Sequence, residues 1–190
     1  MTLQLIIDSS FNFMIGLLDL DTGKVLDYKT SLSDKTHVED IVPKVKKIIS
    51  NRQPISSIRV GAGPGAFTGL RAGIAAAQGL AFGLAVPIWG FNSLLAQAIS
   101  VNSAEVLIIN NARRKQVYWG HFVKTDNKYQ QIALDIDDES KLDILKSKAG
   151  IFIAGNMTNN KIDTIRFLTS VNLCPKISLK PLYLRQADVG

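Results

Sequence analysis

The chain has 190 residues, 46% hydrophobic and 20% charged, a composition that forms an ordinary globular core without staples. The only cysteine, Cys174, excludes an internal disulfide and reads as a small buried apolar residue suited to a reducing compartment. The net charge of +6 divides into +2 over residues 1–100 and +4 over residues 101–190, so the basic excess is spread rather than gathered into a nucleic-acid footprint.

No apolar run reaches the ~18 residues that suggest a membrane span. The start, Met1-Thr2-Leu3-Gln4-Leu5, has no basic patch ahead of an apolar stretch. The expectation is a soluble, cytoplasmic protein with no membrane partner.

Leu3 to Asp8 is a short apolar run ending in an acid and two serines, Ser9 and Ser10, which predicts a buried strand and its exit. Phe11 to Leu18 predicts a second strand. Asp21-Thr22-Gly23 is a turn signal, and Lys24 to Thr30 returns as a third. Beyond the polar stretch Ser33 to Thr36, Val38, Ile41, Val42, Val45, Ile48 and Ile49 recur at helical spacing. Pro43 sits oddly deep in that helix, which moves its start toward Asp40.

Ile58 to Ala62 predicts a short buried strand. It leads into the glycine-rich stretch Gly61 to Gly69 and a helix over Leu70 to Leu84 built mostly of Ala, Gly and Leu. Val86 to Trp89 predicts a strand and Leu94 to Ile99 a helix. In the second half, Val106 to Ile109 and Val117 to Val123 predict paired strands. Asp137 to Lys148 predicts a helix, Gly150 to Ala154 a strand, and Ile162, Ile165 and Leu168 a last helix. Pro181 to Arg185 closes as an extended segment.

The order of three strands, helix, strand, helix is the pattern of an actin-like or ribonuclease-H-like lobe. The predicted class is therefore α/β: a two-lobed actin-like fold with a mixed sheet. The lobes are expected over residues 1–102 and 103–190, the second one shortened.

Each glycine inside a helix costs about 1 kcal/mol relative to alanine. The helix after Gly65 carries Gly69, Gly73, Gly79 and Gly83, so something offsets several such costs. Gly69, Gly73 and Ala77 share a face, and small residues on one stripe let another backbone come close. Two readings stand: tight packing within the lobe, or a close helix contact with another subunit, or both on different faces. A Walker loop is excluded, because Gly69 is followed by Leu70-Arg71 where that loop needs Lys and Ser or Thr. A metal pair is not offered either, since His37 and His121 are the only histidines and lie far apart.

The run from Gly63 to Ile74, continuing to Gln78-Gly79-Leu80-Ala81, resembles the signature segment of the TsaB (YeaZ) family, which is glycoprotease-like. Ile7-Asp8-Ser9-Ser10 is similar to that family's first strand exit, and His37 with Glu39 to its His-x-Glu segment. Asn111-Ala112-Arg113 and Val117-Tyr118-Trp119 resemble its Asp-Ala-Arg and Val-Tyr segment. Pro181-Leu182-Tyr183-Leu184-Arg185 resembles its C-terminal motif. Asn111 stands where the family has an acid, and Lys115-Gln116 where it has Gly-Glu.

The resemblance implies a non-catalytic subunit that forms homodimers alone and pairs with a TsaD-like subunit through first-lobe helices. TsaD makes threonylcarbamoyladenosine on tRNA, and a TsaE-like ATPase completes the system. Residues expected at the partner interface are Phe67, Thr68, Gly69, Arg71, Gly73, Ala77, His37 and Glu39, with Gly73→Leu expected to separate the subunits without unfolding. Asp8, Ser9 and Ser10 are expected to be a degenerate nucleotide site, since serines carry Cβ atoms where glycine admits a close backbone. No cofactor is expected. Arg113, Arg114 and Lys115 are candidates for tRNA contact. The alternatives are an independent actin-like small-molecule kinase or hydrolase, and a tRNA-binding module.

Overall fold

A computed structural model describes residues 1–11, 13–31, 41–49, 54–147 and 150–184. His37, Glu39 and Arg185 lie outside these residues. The chain divides into two compact units, Met1–Ser93 with Cys174–Leu182 and Leu94–Leu173 with Tyr183–Gly190. A late segment, Cys174–Leu182, belongs to the first unit.

In the first unit, β1 (Leu3–Asp8), β2 (Phe13–Asp19) and β3 (Lys24–Ser31) form the expected antiparallel meander. β4 (Ile55–Gly61) joins β1 in parallel and β5 (Ile88–Phe91) joins β4 in parallel, giving the order β3-β2-β1-β4-β5. Strand alternation sends Leu3, Leu5 and Ile7, Phe13, Ile15 and Leu17, and Ile58 and Val60 to one face. There they meet Ile41, Val45 and Ile48 of α1 (Ile41–Ile49) and Ile74, Ala77 and Ala81 of α2 (Phe67–Leu84). The opposite face of β1 and β4 carries buried polar groups: Gln4, Asp8, Ser57 and Arg59.

α2 begins three residues earlier than its apolar pattern suggests, with Ala66 at the N-cap and no side-chain cap. It ends in a Schellman-type turn. Ala85 adopts a left-handed φ of 52°, its N–H bonds to Phe82 O at 3.2 Å, and the Val86 N–H bonds to Ala81 O at 3.0 Å.

The second unit holds most of α3 (Ser93–Val101), which begins at the last residue of the first unit. Its sheet runs β8-β7-β6-β9, with β6 (Glu105–Arg113), β7 (Gln116–Thr125) and β8 (Lys128–Asp138) antiparallel and β9 (Phe152–Ala154) parallel to β6. Leu107, Ile109 and Val117 pack on Leu142 of the short helix α4 (Leu142–Lys146). α5 (Thr164–Val171) buries Phe167, Leu168 and Val171, while Ile165 is half exposed.

One predicted element is corrected. Asp137 and Asp138 end the strand β8 rather than opening the expected Asp137–Lys148 helix, whose helical turns run from Glu139 to Lys146. Asp126-Asn127 forms the two-residue β7–β8 turn with both φ angles positive, 50° and 61°.

One outer strand of each sheet, β3 in the first and β8 in the second, carries an extra residue. The β2–β3 register skips Leu26, and the β7–β8 register skips Ile132. Such bulges bend and twist an open edge away from another chain. The outer side of β5 is closed instead by reciprocal bonds between Gly90 and Ile177, 2.9 and 3.1 Å.

Candidate functional site

β1 delivers Asp8 to its carboxyl end with the residue only 4% exposed. Its Oδ1 accepts the Ser10 N–H at 2.8 Å, and the side chain is also hydrogen-bonded by Ser93. The Ser10 and Ser93 hydroxyls share a 2.7 Å hydrogen bond, and the Ser93 N–H donates to Gly63 O at 2.8 Å. A Cβ on Gly61 would collide with the Asp8 carboxylate, so only glycine fits there. Burial pushes the Asp8 carboxyl above its ordinary range, and the bonds from Ser10 and Ser93 oppose that shift. Asp8, Ser10 and Ser93 therefore form a closed polar knot between the ends of β1 and β4 and the start of α3.

Ser9, between them, turns the other way. Its Oγ donates to Gly69 O at 2.7 Å. Cβ atoms at Gly65 and Gly69 would sit 2.5 Å from Ser10 O and Ser9 O respectively, and one at Gly73 would strike the Ser9 hydroxyl. The stripe Gly69, Gly73 and Ala77 thus faces the β1 exit and the core, and Gly73 and Ala77 are buried. Of the two readings of this stripe, the geometry realises packing within the lobe. The expectation attached to Gly73→Leu is corrected accordingly: a leucine there must displace Ser9 and disturbs the lobe itself.

The other side of α2 is open. Thr68, Arg71, Ala75, Gln78, Gly79 and Phe82 are all exposed at three- and four-residue spacing, one helical face. A Cβ on Gly79 or Gly83 would meet nothing within 4 Å. Phe82 is 91% exposed. At the start of the helix the Arg71 guanidinium lies 3.8 Å from the Phe67 ring centroid, a cation–π contact.

Arg113, Arg114 and Lys115 form the tip of the β6–β7 hairpin, all exposed and all left-handed, with φ of 61°, 52° and 58°. Asn111 Oδ1 accepts the Arg113 N–H at 2.5 Å. The Glu139 N–H bonds to Lys115 O at 2.7 Å, and the charge of Lys115 helps hold the Asp138 carboxyl below its usual range, behind the larger effect of its bonds to Ser140. The basic tip is therefore flanked by acids.

The Asp8 knot and the α2 face lie in the first unit, the basic tip in the second. Sequence reasoning missed two members. Ser93 completes the Asp8 knot, and Arg59 is 1% exposed within β4. The arginine in the apolar run Ile58-Arg59-Val60 was the available signal. Among the described residues no group of three or more His, Cys, Asp or Glu could hold a metal ion, and no helix is long and apolar enough to cross a membrane.

A family model, "TsaD: tRNA N6-adenosine threonylcarbamoyltransferase", matches residues 30–168. An uncharacterised protein of Mycobacterium tuberculosis is 29% identical over 175 residues, covering 86% of this chain and 82% of that one. The tRNA threonylcarbamoyladenosine biosynthesis protein TsaB of Bacillus subtilis is 34% identical over 141 residues, 71% of this chain and 61% of its own length. Among solved structures, YeaZ from Pseudomonas aeruginosa superposes with a TM-score of 0.70 at 22% identity, over 97% of this chain and all of that one. That likeness gives the α/β, two-lobed actin-like fold. The chain belongs to the TsaD family that this model describes, and it stands there with the TsaB (YeaZ) relatives.

Proposed function

We propose that this chain acts in tRNA threonylcarbamoyladenosine biosynthesis as a non-catalytic partner subunit, presenting the outward face of α2 to a TsaD-like subunit. The observation that carries the reading is Phe82, 91% exposed at the end of a helix face made otherwise of small and polar residues. An aromatic held in water beside Gly79 and Ala75 is an anchor beside a surface that a second helix can approach closely. Phe67, Thr68 and Arg71 begin the same helix, and His37 and Glu39 precede α1 in sequence; the proposed surface includes them. Gly69, Gly73 and Ala77 support it from behind by seating α2 on Ser9.

The Asp8 knot supports the non-catalytic half of the proposal. A carboxylate that is to hold a phosphate-bound cation needs free oxygens facing solvent. Asp8 is buried and already bonded by Ser10 and Ser93. In this reading a TsaE-like ATPase and tRNA reach the chain through the complex, which is cytoplasmic, and the chain alone pairs with a second copy.

The test is co-expression with the TsaD-like protein of the same genome and measurement of the complex mass. Phe82→Ser should leave the isolated chain folded and weaken the complex roughly thirtyfold or more, the range of an aromatic anchor. An unchanged complex would place the interface elsewhere. ATP turnover by the isolated chain, abolished by Asp8→Ala, would favour the enzyme reading instead.

The exposed tip Arg113-Arg114-Lys115 supports a second reading, direct tRNA contact. Affinity should then fall with salt, and neutralising all three should flatten that slope by about three.

A further inference from the structure

Arg59 is a fully buried guanidinium that donates to backbone carbonyls. Its Nη2 donates to Cys174 O at 3.0 Å and Pro175 O at 3.1 Å, and its Nε has no partner. The Phe91 ring centroid lies 6.0 Å from its Cζ. A buried cation is expensive, and removing its partners is more so. Both carbonyls are bonded by one nitrogen, Nη2, whose two N–H groups are held in the guanidinium plane, whereas a lysine ammonium is a freely rotating and more strongly hydrated donor.

Those carbonyls open the segment Cys174–Leu182, which returns to the first unit. Arg59 projects from the sheet face opposite α1 and α2. From there the segment crosses the outer side of β5. The Lys176 ammonium lies 3.6 Å from the Trp89 ring centroid, and Ile177 pairs with Gly90. Leu179 then packs on the core cluster between the sheet and its helices. Finally the Leu182 N–H donates to Ala62 O at 2.7 Å, and Leu182 O lies 3.0 Å from the place a Cβ would take on Gly63. The segment is a strap around the β5 edge, anchored at one end by Arg59 and closed at the other on the loop that leads into α2.

We propose that Arg59 is a positioning residue: it anchors the strap, and the strap fixes the Ala62–Ala66 loop and so the aim of α2. Its consequence for partner binding rests on the reading of α2 as the partner face; its consequence for the loop does not.

Cys174 supplies the readout. Burial pushes its thiol up to about 12, and the charge of Arg59 acts against that rise. Loss of the Arg59 charge alone makes the thiol less reactive, so faster alkylation reports opening of the strap. In the full chain, Arg59→Met should alkylate roughly tenfold faster or more and exchange amide hydrogens faster at residues 62–66, while β1 and β2 remain protected. Arg59→Lys should recover only part of the protection. Leu182→Pro removes the closing donor and leaves Arg59 in place. It should loosen residues 62–66 while Cys174 stays slow, which keeps the test available where Arg59→Met does not fold. Arg59→Met and Leu182→Pro should each weaken the complex with the TsaD-like protein.

Wild-type alkylation rates in Arg59→Met and Arg59→Lys would overturn the anchoring role. An unchanged 62–66 loop in Leu182→Pro would overturn the coupling. A loosened loop in a chain whose wild-type form binds no partner would sink the partner reading and leave this one standing.

Discussion

The hydroxyl of Ser9 donates to the carbonyl of Gly69 at 2.7 Å, across sixty residues of chain, while the Ser9 carbonyl lies 2.5 Å from where a Gly69 Cβ would stand. Two backbones cross here with no room for a methyl group, which accounts for one glycine of the helix. Gly79 lacks any such neighbour. Gly69→Ala must push the β1 exit away. Overpacking of about 1–3 kcal/mol against a helix gain of about 1 leaves the variant less stable. Gly79→Ala keeps the gain and should be about 1 kcal/mol more stable. Urea unfolding of the two variants decides this. Equal effects would mean that the crossing does not constrain the helix.

Asp8 ties stability to pH. Its folded pKa lies above its unfolded value because burial disfavours the carboxylate. In the window above the unfolded pKa the folded chain holds more protons, so stability falls as pH rises through the folded value. Asp8→Asn removes that penalty and keeps an oxygen for the Ser10 N–H. At neutral pH it should match or exceed the wild type by about 1 kcal/mol. Near pH 4 the advantage should shrink. Asp8→Ala leaves the Ser10 N–H unpaired and should cost about 1–3 kcal/mol. Thermal melts across pH check both. A strongly destabilised Asp8→Asn, with a gap that does not change with pH, would contradict the closed knot.

Ala85 ends α2 in the left-handed region at φ 52°. A residue with a Cβ pays about 1–2 kcal/mol there, and glycine loses about 0.5–1 kcal/mol of chain entropy on folding. Ala85→Gly should therefore raise stability by about 0.5 kcal/mol or slightly more and shift Tm upward by a few degrees. A lower Tm would mean that the Schellman turn does not end the helix in solution.

The meander, the core face of α1 and the lobe order were legible because apolar residues recur with period 2 or 3.6 and both periods report burial directly. The destination of the glycine stripe was not, because small residues admit any close backbone, and nothing in Gly69 or Gly73 distinguishes Ser9 from a foreign helix. Arg59 escaped because it donates to backbone carbonyls, which leave no complementary acid in the sequence. The missed strand β8 has a different cause. Gln130-Gln131 is polar, and the extra residue Ile132 shifts the strand's alternation by one, so β8 shows no sustained period. Asp126-Asn127, a two-residue hairpin turn, was the signal to weigh.

Ile132 also defines what β8 presents to other chains. His121 pairs with Ala133 and Phe122 with Gln131, so Ile132 is the unpaired extra residue on an eleven-residue outer strand. Its side chain is 56% exposed. Deleting it makes the β7–β8 ladder continuous and straightens an edge whose N–H and C=O groups then line up as a template for another strand. The deletion variant keeps the turn at Asp126-Asn127 and the pairs on either side, so the unit should still fold. It should self-associate at concentrations where the wild type shows none of this larger species, giving higher-mass scattering and a rise in cross-β dye binding. A variant with the wild-type mass distribution at high concentration would show that the bulge does not guard the edge.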